Sequence, residues 1–354
     1  MRTFTRVLTA VLGVVMLIAA AVLSFVVVPD RAQLPEDTDS TRTYEGQVAT
    51  LLNADALASG DLGNVVLRDL PVTIEQQVEV TAVDGGTADV TDASTVTLPD
   101  GTPLLQTAST YVVDRKSMRA QGDADGLVIG WPVNPEAVDT TVWSGSLQTA
   151  VPAVYEATEE HASIETLRFT ALESGRIVDA AWLETVPTSV PSGLLGILAT
   201  ALDAPAAVLQ QLGAAGDSLP VDVPLAYLVE ASTTYWVHPT TGMVIDADVA
   251  ETRSVVLDVP GLETTPVAPV LDLAYQGEAD SVAATVAEAD DLAGQLSLFG
   301  TIIPVALTAV GFVLVLPLAF RRRSRTEIDL TGDDDSSSAS DDQSTPTASA
   351  GSTR

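Results

Sequence analysis

Cysteine is absent from the 354 residues. Disulfides, thiolate metal sites and cysteine nucleophiles are therefore excluded. Only two histidines occur, His161 and His238, so a three-histidine zinc site is impossible. Basic residues are scarce: 16 Lys and Arg face 48 Asp and Glu, a net charge of −32. That balance lacks the basic footprint of a nucleic-acid binder. It also opposes adhesion of the folded part to an anionic lipid surface. Aromatic residues make up 5%, few for the aromatic girdles of a transmembrane β-barrel. The sequence holds no G-x-S-x-G elbow, no H-E-x-x-H and no phosphate loop. The expectation is a non-enzyme with no cofactor and no metal.

What is present is apolar sequence in two long runs. Val7 to Val28 is uncharged, preceded by Arg2 and Arg6, and long enough to cross a bilayer. It ends in Phe25-Val26-Val27-Val28-Pro29, without the small-x-small site of a cleaved signal peptide. The second run, Leu296 to Phe320, ends in Arg321-Arg322-Arg323-Ser324-Arg325, a stop-transfer pattern. The positive-inside rule places both arginine groups in the cytoplasm. The predicted layout is a cytoplasmic start (1–6), a span (7–28), an extracytoplasmic domain (29–295), a span (296–320) and a disordered cytoplasmic tail (321–354). The outer segment holds 41 acidic and nine basic residues, and so carries the whole imbalance.

Within that segment, 30–43 reads as a polar linker and 46–62 as room for one short helix. Val72, Ile74, Val78 and Val80 then alternate with polar residues, the period of a half-buried strand. Asp84-Gly85-Gly86 and Pro99-Asp100-Gly101 are turn signals, which gives three antiparallel strands up to Val113. Glu173-Ser174-Gly175 is read as a turn between strands 164–172 and 177–183. His238-Pro239-Thr240-Thr241-Gly242 turns a hairpin between Thr234–Val237 and Met243–Val249. Between Glu184 and Asp217 the only charge is Asp203, and Pro191 and Pro205 open two short apolar helices. Residues 278–295 read as a helical stalk. The expected fold is α+β: a large antiparallel β-rich extracytoplasmic domain with a short apolar helix pair, flanked by two transmembrane helices.

His161 lies between Glu160 and Ser163, but neighbours in sequence do not make a triad, and the plain reading is an exposed loop histidine. Asp114-Arg115-Lys116 reads as a strand end with a local ion pair. Asp123-Ala124-Asp125-Gly126 has the look of half a calcium loop, but Gln121 and Pro132 stand where acidic ligands are needed. The sharpest expectation is an apolar ligand, a lipid or acyl chain, held between the sheet and the helix pair. Its lining would be Leu194, Leu195, Ile197, Leu198 and Leu202 against Val72, Ile74 and Val78, since small residues such as Gly193, Gly196 and Ala199 leave a gap. The competing reading is a fully packed core.

Four passages resemble an actinobacterial two-span membrane family of unknown function, often labelled PorA-like porins. They are Pro29-Asp30-Arg31 after the first span, Tyr111-Val112-Val113-Asp114-Arg115-Lys116-Ser117, Tyr235-Trp236-Val237-His238-Pro239-Thr240-Thr241-Gly242, and Leu296-Ser297-Leu298-Phe299-Gly300. Asp114, Arg115, Trp236, Pro239 and Gly242 carry the match. The resemblance implies an oligomeric channel. The residues themselves point to a membrane-anchored envelope protein whose acidic outer domain binds a lipid or another envelope component. Its partners would be the bilayer and envelope proteins, with the oligomeric state left open.

Overall fold

The computed structural model describes residues 2–27, 32–61, 63–122, 125–216, 219–260 and 266–321. The tail beyond Arg321 and Asp123 of the half calcium loop lie outside them. The chain divides into two compact units, Met1–Leu17 with Thr308–Arg354, and Ile18–Leu307.

The first unit is built from α1 (Arg2–Val22) and the last helix (Ile303–Arg321). They meet at Gly13 and Gly311. A Cβ on either would sit 2.9 Å from the other's carbonyl oxygen. Paired glycines let apolar helices touch backbone to backbone. The last helix continues from its neighbour, so one helix, Ala279–Leu316, is long and apolar enough to cross a membrane among the described residues. The described apolar part of the first helix, Val11–Val27, falls short of that length.

The second unit is a curled antiparallel sheet. Its strands are β1 (Asp39–Leu52), β2 (Val66–Asp84), β3 (Thr87–Thr97), β4 (Pro103–Asp114), β5 (Thr140–Ser144), β6 (Thr149–His161) and β7 (Ile164–Arg176). They are followed by β8 (Ser189–Pro191), β9 (Asp222–Val237), β10 (Val244–Leu257) and β11 (Ala268–Gly277). The order across the sheet is β4-β3-β2-β1-β11-β10-β9-β7-β6-β5, with β8 paired to β9 off this path. Four short helices, α2 (Ala54–Ser59), α3 (Ala180–Leu183) and the pair α4 (Ser192–Ala201) and α5 (Ala206–Ala215), decorate it. The stalk is α6 (Ala279–Ser297), and α7 is the last helix.

The predicted hairpins at 84–86, 99–101 and 238–242 form, with Gly85, Gly101 and Gly242 at positive φ. Three expectations fail. The linker is shorter than read, because β1 begins at Asp39 and pairs with β2 from Asp39 onward; the helix after it is only Ala54–Ser59. Glu173-Ser174-Gly175 is no turn: β7 runs through it to Arg176, paired all the way with β9. Residues 177–183 are accordingly not a strand but a connection ending in α3. The real hairpin turn sits at Ala162-Ser163, where two non-glycine residues take positive φ.

Register fixes two faces. One face carries Glu45, Glu75, Glu79, Glu230 and Asp248, in register with Thr73, Thr95, Thr91, Thr252 and Thr234. The other carries Tyr44, Val48, Val72, Ile74, Val90, Phe169, Val249 and Leu273, which close into one buried core. That core takes residues from β3 and β4 together with β6 and β7, strands at opposite ends of the sheet order, so the sheet must curl around it. Isolated bridges Val113–Ala120, Arg119–Leu127 and Leu127–Val142 link the two sheet edges at one end of the curl.

Candidate ligand-binding face

The concave face has three zones. The first is the aromatic-centred core, in which Trp131 stacks near Phe169 and Tyr235 at 5.0 and 5.2 Å. Its Nε1 is buried and has no hydrogen-bond partner among the described residues. The far zone is a second, aliphatic core, where Leu195, Leu198, Leu202, Val208 and Leu212 of the helix pair cover Val223, Tyr227, Val255 and Leu257. The Tyr227 hydroxyl donates to Pro187 O at 2.5 Å.

Between them lies a polar belt. Ser144 Oγ donates to Glu173 Oε2 at 2.6 Å. Glu251 pairs with Arg253, whose guanidinium lies 4.7 Å from the centre of the Trp182 ring and donates to Ser146. On the β2–β4 side, Gln76 Nε2 donates to Asp92 Oδ1 at 2.9 Å, and the Tyr44 hydroxyl donates to Gln76 Oε1 at 3.1 Å. Ser94 and Thr107 hydroxyls pair at 3.2 Å. Burial lifts the Asp92 and Glu173 carboxyls above the usual carboxylate range, against the hydrogen bonds from Gln76 and Ser144. Burial also raises the hydroxyls of Tyr44, Tyr111, Tyr235 and Tyr275, with Asp92 adding to each. An acid on β3 thus acts electrostatically on tyrosines of β9 and β11, five and three strands away, which follows from the curl. All six tyrosines share this face, Tyr227 within its second core.

The predicted lining residues separate. Leu195, Leu198 and Leu202 are buried in the second core with Leu194 packed beside them, and Ile197 is exposed on the outside of α4. Val72 and Ile74 are buried in the first core with Val78 packed against it. The physical reason is the helix face on which the small residues fall. Gly193, Gly196, Ala206 and Ala207 point to solvent, and Leu195, Leu198 and Leu202 pack inward.

The motif positions are structural. Asp114 accepts from the backbone of Lys116 and Ser117, which holds its carboxyl low. The expected local ion pair is instead long-range: Arg115 is buried, donates to Leu34 O at 2.8 Å and to Gly85 O, and pairs with Glu36. Gly242 is forced twice, by φ of 74° and by Trp131 O, which a Cβ would meet at 2.2 Å. Pro239 is half-buried in the same turn, where His238 Nδ1 accepts from Thr240 and Thr241. Trp236 Nε1 donates to Glu159, and its ring stacks on His161 at 4.1 Å. His161 is therefore not a free loop residue: its Nε2 lies 2.8 Å from Asp246 Oδ2. Asp246 Oδ1 accepts from Gly277 N at 3.0 Å, beside a cleft of about 10 Å³ with room for a single water. Sequence reading missed this cluster because its members are 85 and 31 residues apart.

Comparison with known proteins gives one clear result. No curated protein matches the sequence. Two solved structures show slight likeness: a protein described as a MaoC domain dehydratase from Chloroflexus aurantiacus (15% identity, 74% of this chain and 80% of that one, TM-score 0.13), and one described as an oleoyl thioesterase from Lactobacillus plantarum (12%, 76% and 86%, TM-score 0.13). Neither is close enough to carry an argument. The profile of the family described as "Porin PorA" matches residues 6–319, nearly the whole chain, and the protein belongs to that family.

Proposed function

We propose that this chain is a membrane-anchored cell-envelope protein that binds an amphipathic ligand on the concave face of its curled sheet, without catalysis. The carrying observation is the mixed chemistry of that face. Val78, Leu105, Tyr111 and Tyr275 are half-buried beside Asp92, Gln76 and Ser94, so apolar and hydrogen-bonding surface lie side by side. The unpartnered Trp131 Nε1 supports the reading, since an oxygen of a water or ligand would satisfy it. The ligand is placed on the inner side of β2–β4 rather than at the helix pair, whose inward leucines are buried in the second core. Two spans with both ends in the cytoplasm and residues 29–295 outside remain the proposed topology. It rests on the arginines at positions 2, 6 and 321–325 and is supported by the Gly13–Gly311 helix contact. Catalysis is disfavoured by His161, whose Nε2 engages Asp246 rather than a hydroxyl nucleophile.

A second reading, a channel, is favoured by the family description. The sheet argues against itself as the pore wall. A membrane barrel turns apolar residues outward, whereas Glu45, Glu75, Glu79, Glu230 and Asp248 stand on the face away from the core. A pore would have to be made by helices of several copies, and no charged residue lines 7–28 or 296–320. Organic extraction of purified full-length protein followed by mass spectrometry tests the first reading: a stoichiometric lipid is expected. Planar-bilayer recording tests the second: reproducible unitary conductance, lost on deletion of either apolar helix, would replace ligand binding as the conclusion.

A further inference from the structure

The sheet has two edges, β4 and β5. The outer side of β5 is covered, because Leu127 N donates to Thr141 O and Trp143 N to Leu127 O. The end of β4 is covered too, by Gln121 N on Val112 O at 2.6 Å and Asp114 N on Arg119 O at 2.9 Å. The middle of β4, Gln106 to Thr110, is exposed. The outward carbonyl of Val112 sets the phase of the strand. By the period of two, Gln106, Ala108 and Thr110 turn their N–H and C=O groups out of the sheet.

Natural edges of this length are guarded by charges, prolines or bulges. From Leu104 to Val113 this edge has no charge, no proline and no glycine. Its one register irregularity lies near Thr97, at the start. The neighbouring strands carry Glu75, Glu79, Asp89 and Asp92, so the neutrality belongs to the edge alone.

We infer that β4 is a two-fold contact through which two copies of this chain join edge to edge. The strand is chemically palindromic about Ala108. Antiparallel pairing centred there sets Leu104 opposite Val112, Leu105 opposite Tyr111, Gln106 opposite Thr110 and Thr107 opposite Ser109. The outward-facing residues 106, 108 and 110 then meet 110, 108 and 106 of the second copy as hydrogen-bonded pairs. Inner-face residues meet inner-face residues, so the concave surface continues across the seam. Charge argues for the same site. Two chains of −32 repel each other, and this neutral strip lets them touch without opposing carboxylates.

Disulfide trapping tests the contact in the native chain, which has no cysteine of its own. Membranes from cells making full-length Ala108→Cys, mildly oxidised, should give a product of about twice 36.7 kDa. Thr91→Cys, one strand in, should give none. Full-length protein in detergent should sediment as a dimer, and Ala108→Asp, which opposes two carboxylates at the axis, as a monomer with an unchanged melting temperature. If Ala108→Asp melts early, Ala108→Pro, which removes one outward N–H and leaves the β3 ladder intact, takes its place. Failure of Ala108→Cys to cross-link, equal cross-linking of Thr91→Cys, or a cross-link to a different polypeptide would each overturn the self-pairing.

Discussion

Two apolar cores share one concave face, and they differ in kind. The first is gathered from both ends of the sheet around Trp131, Phe169 and Tyr235, and borders half-exposed polar groups. The second is an aliphatic plug of α4 and α5 on β9 and β10, with Tyr227 as its one deeply buried aromatic. The difference separates packing from binding. A ligand site needs apolar surface beside unsatisfied or accessible polar groups, and the first core has both.

The contrast is broken most strongly at the turn that ties the Trp131 segment to the hairpin. Gly242→Val adds a positive-φ penalty and a clash with Trp131 O, so about 4 kcal/mol should be lost. A urea midpoint measures it. In the plug, Leu198→Ala should cost about 3 kcal/mol as a cavity mutation and leave ligand content unchanged. Arg115→Ala strips Leu34 O and Gly85 O of their donor and should cost about 2 kcal/mol, seen in the same titration.

The smallest effect is the most informative about the belt. Burial raises the Asp92 carboxyl, so the native state binds a proton more readily than the unfolded chain. Stability from this group therefore rises as pH falls through its native pKa, and the carboxylate is a burden above it. Asp92→Asn should raise the melting temperature at about pH 8 and leave it unchanged at about pH 3, where both states are protonated.

Local chemistry made much of this fold legible. Alternation located β2, glycine turns located three hairpins, and Pro191 and Pro205 located the helix pair. What failed depended on distant pairing. Glu173-Ser174-Gly175 has turn composition, but ten register pairs with β9 keep it extended. β1 was hidden because Asp39, Thr41, Arg42 and Thr43 look like a linker until β2 flanks them. The belt was illegible for the same reason: Gln76 meets Asp92 only through the pairing of β2 with β3, and Glu173 lines up with Glu251 only across β9. Asp114-Arg115-Lys116 reads as a local ion pair, whereas the carboxylate that meets Arg115 is Glu36, 79 residues away.

The most direct measurement is native mass spectrometry of the full-length protein released from nanodiscs, in three forms. Ser109 is exposed on the inner face of β4, opposite Asp92. Wild type and Leu198→Ala should carry the same bound mass, and Ser109→Trp, which sets a bulky ring opposite Asp92, should lose it while melting normally. Bound mass retained by Ser109→Trp, or lost from Leu198→Ala alone, would contradict the account and return the ligand to the helix pair.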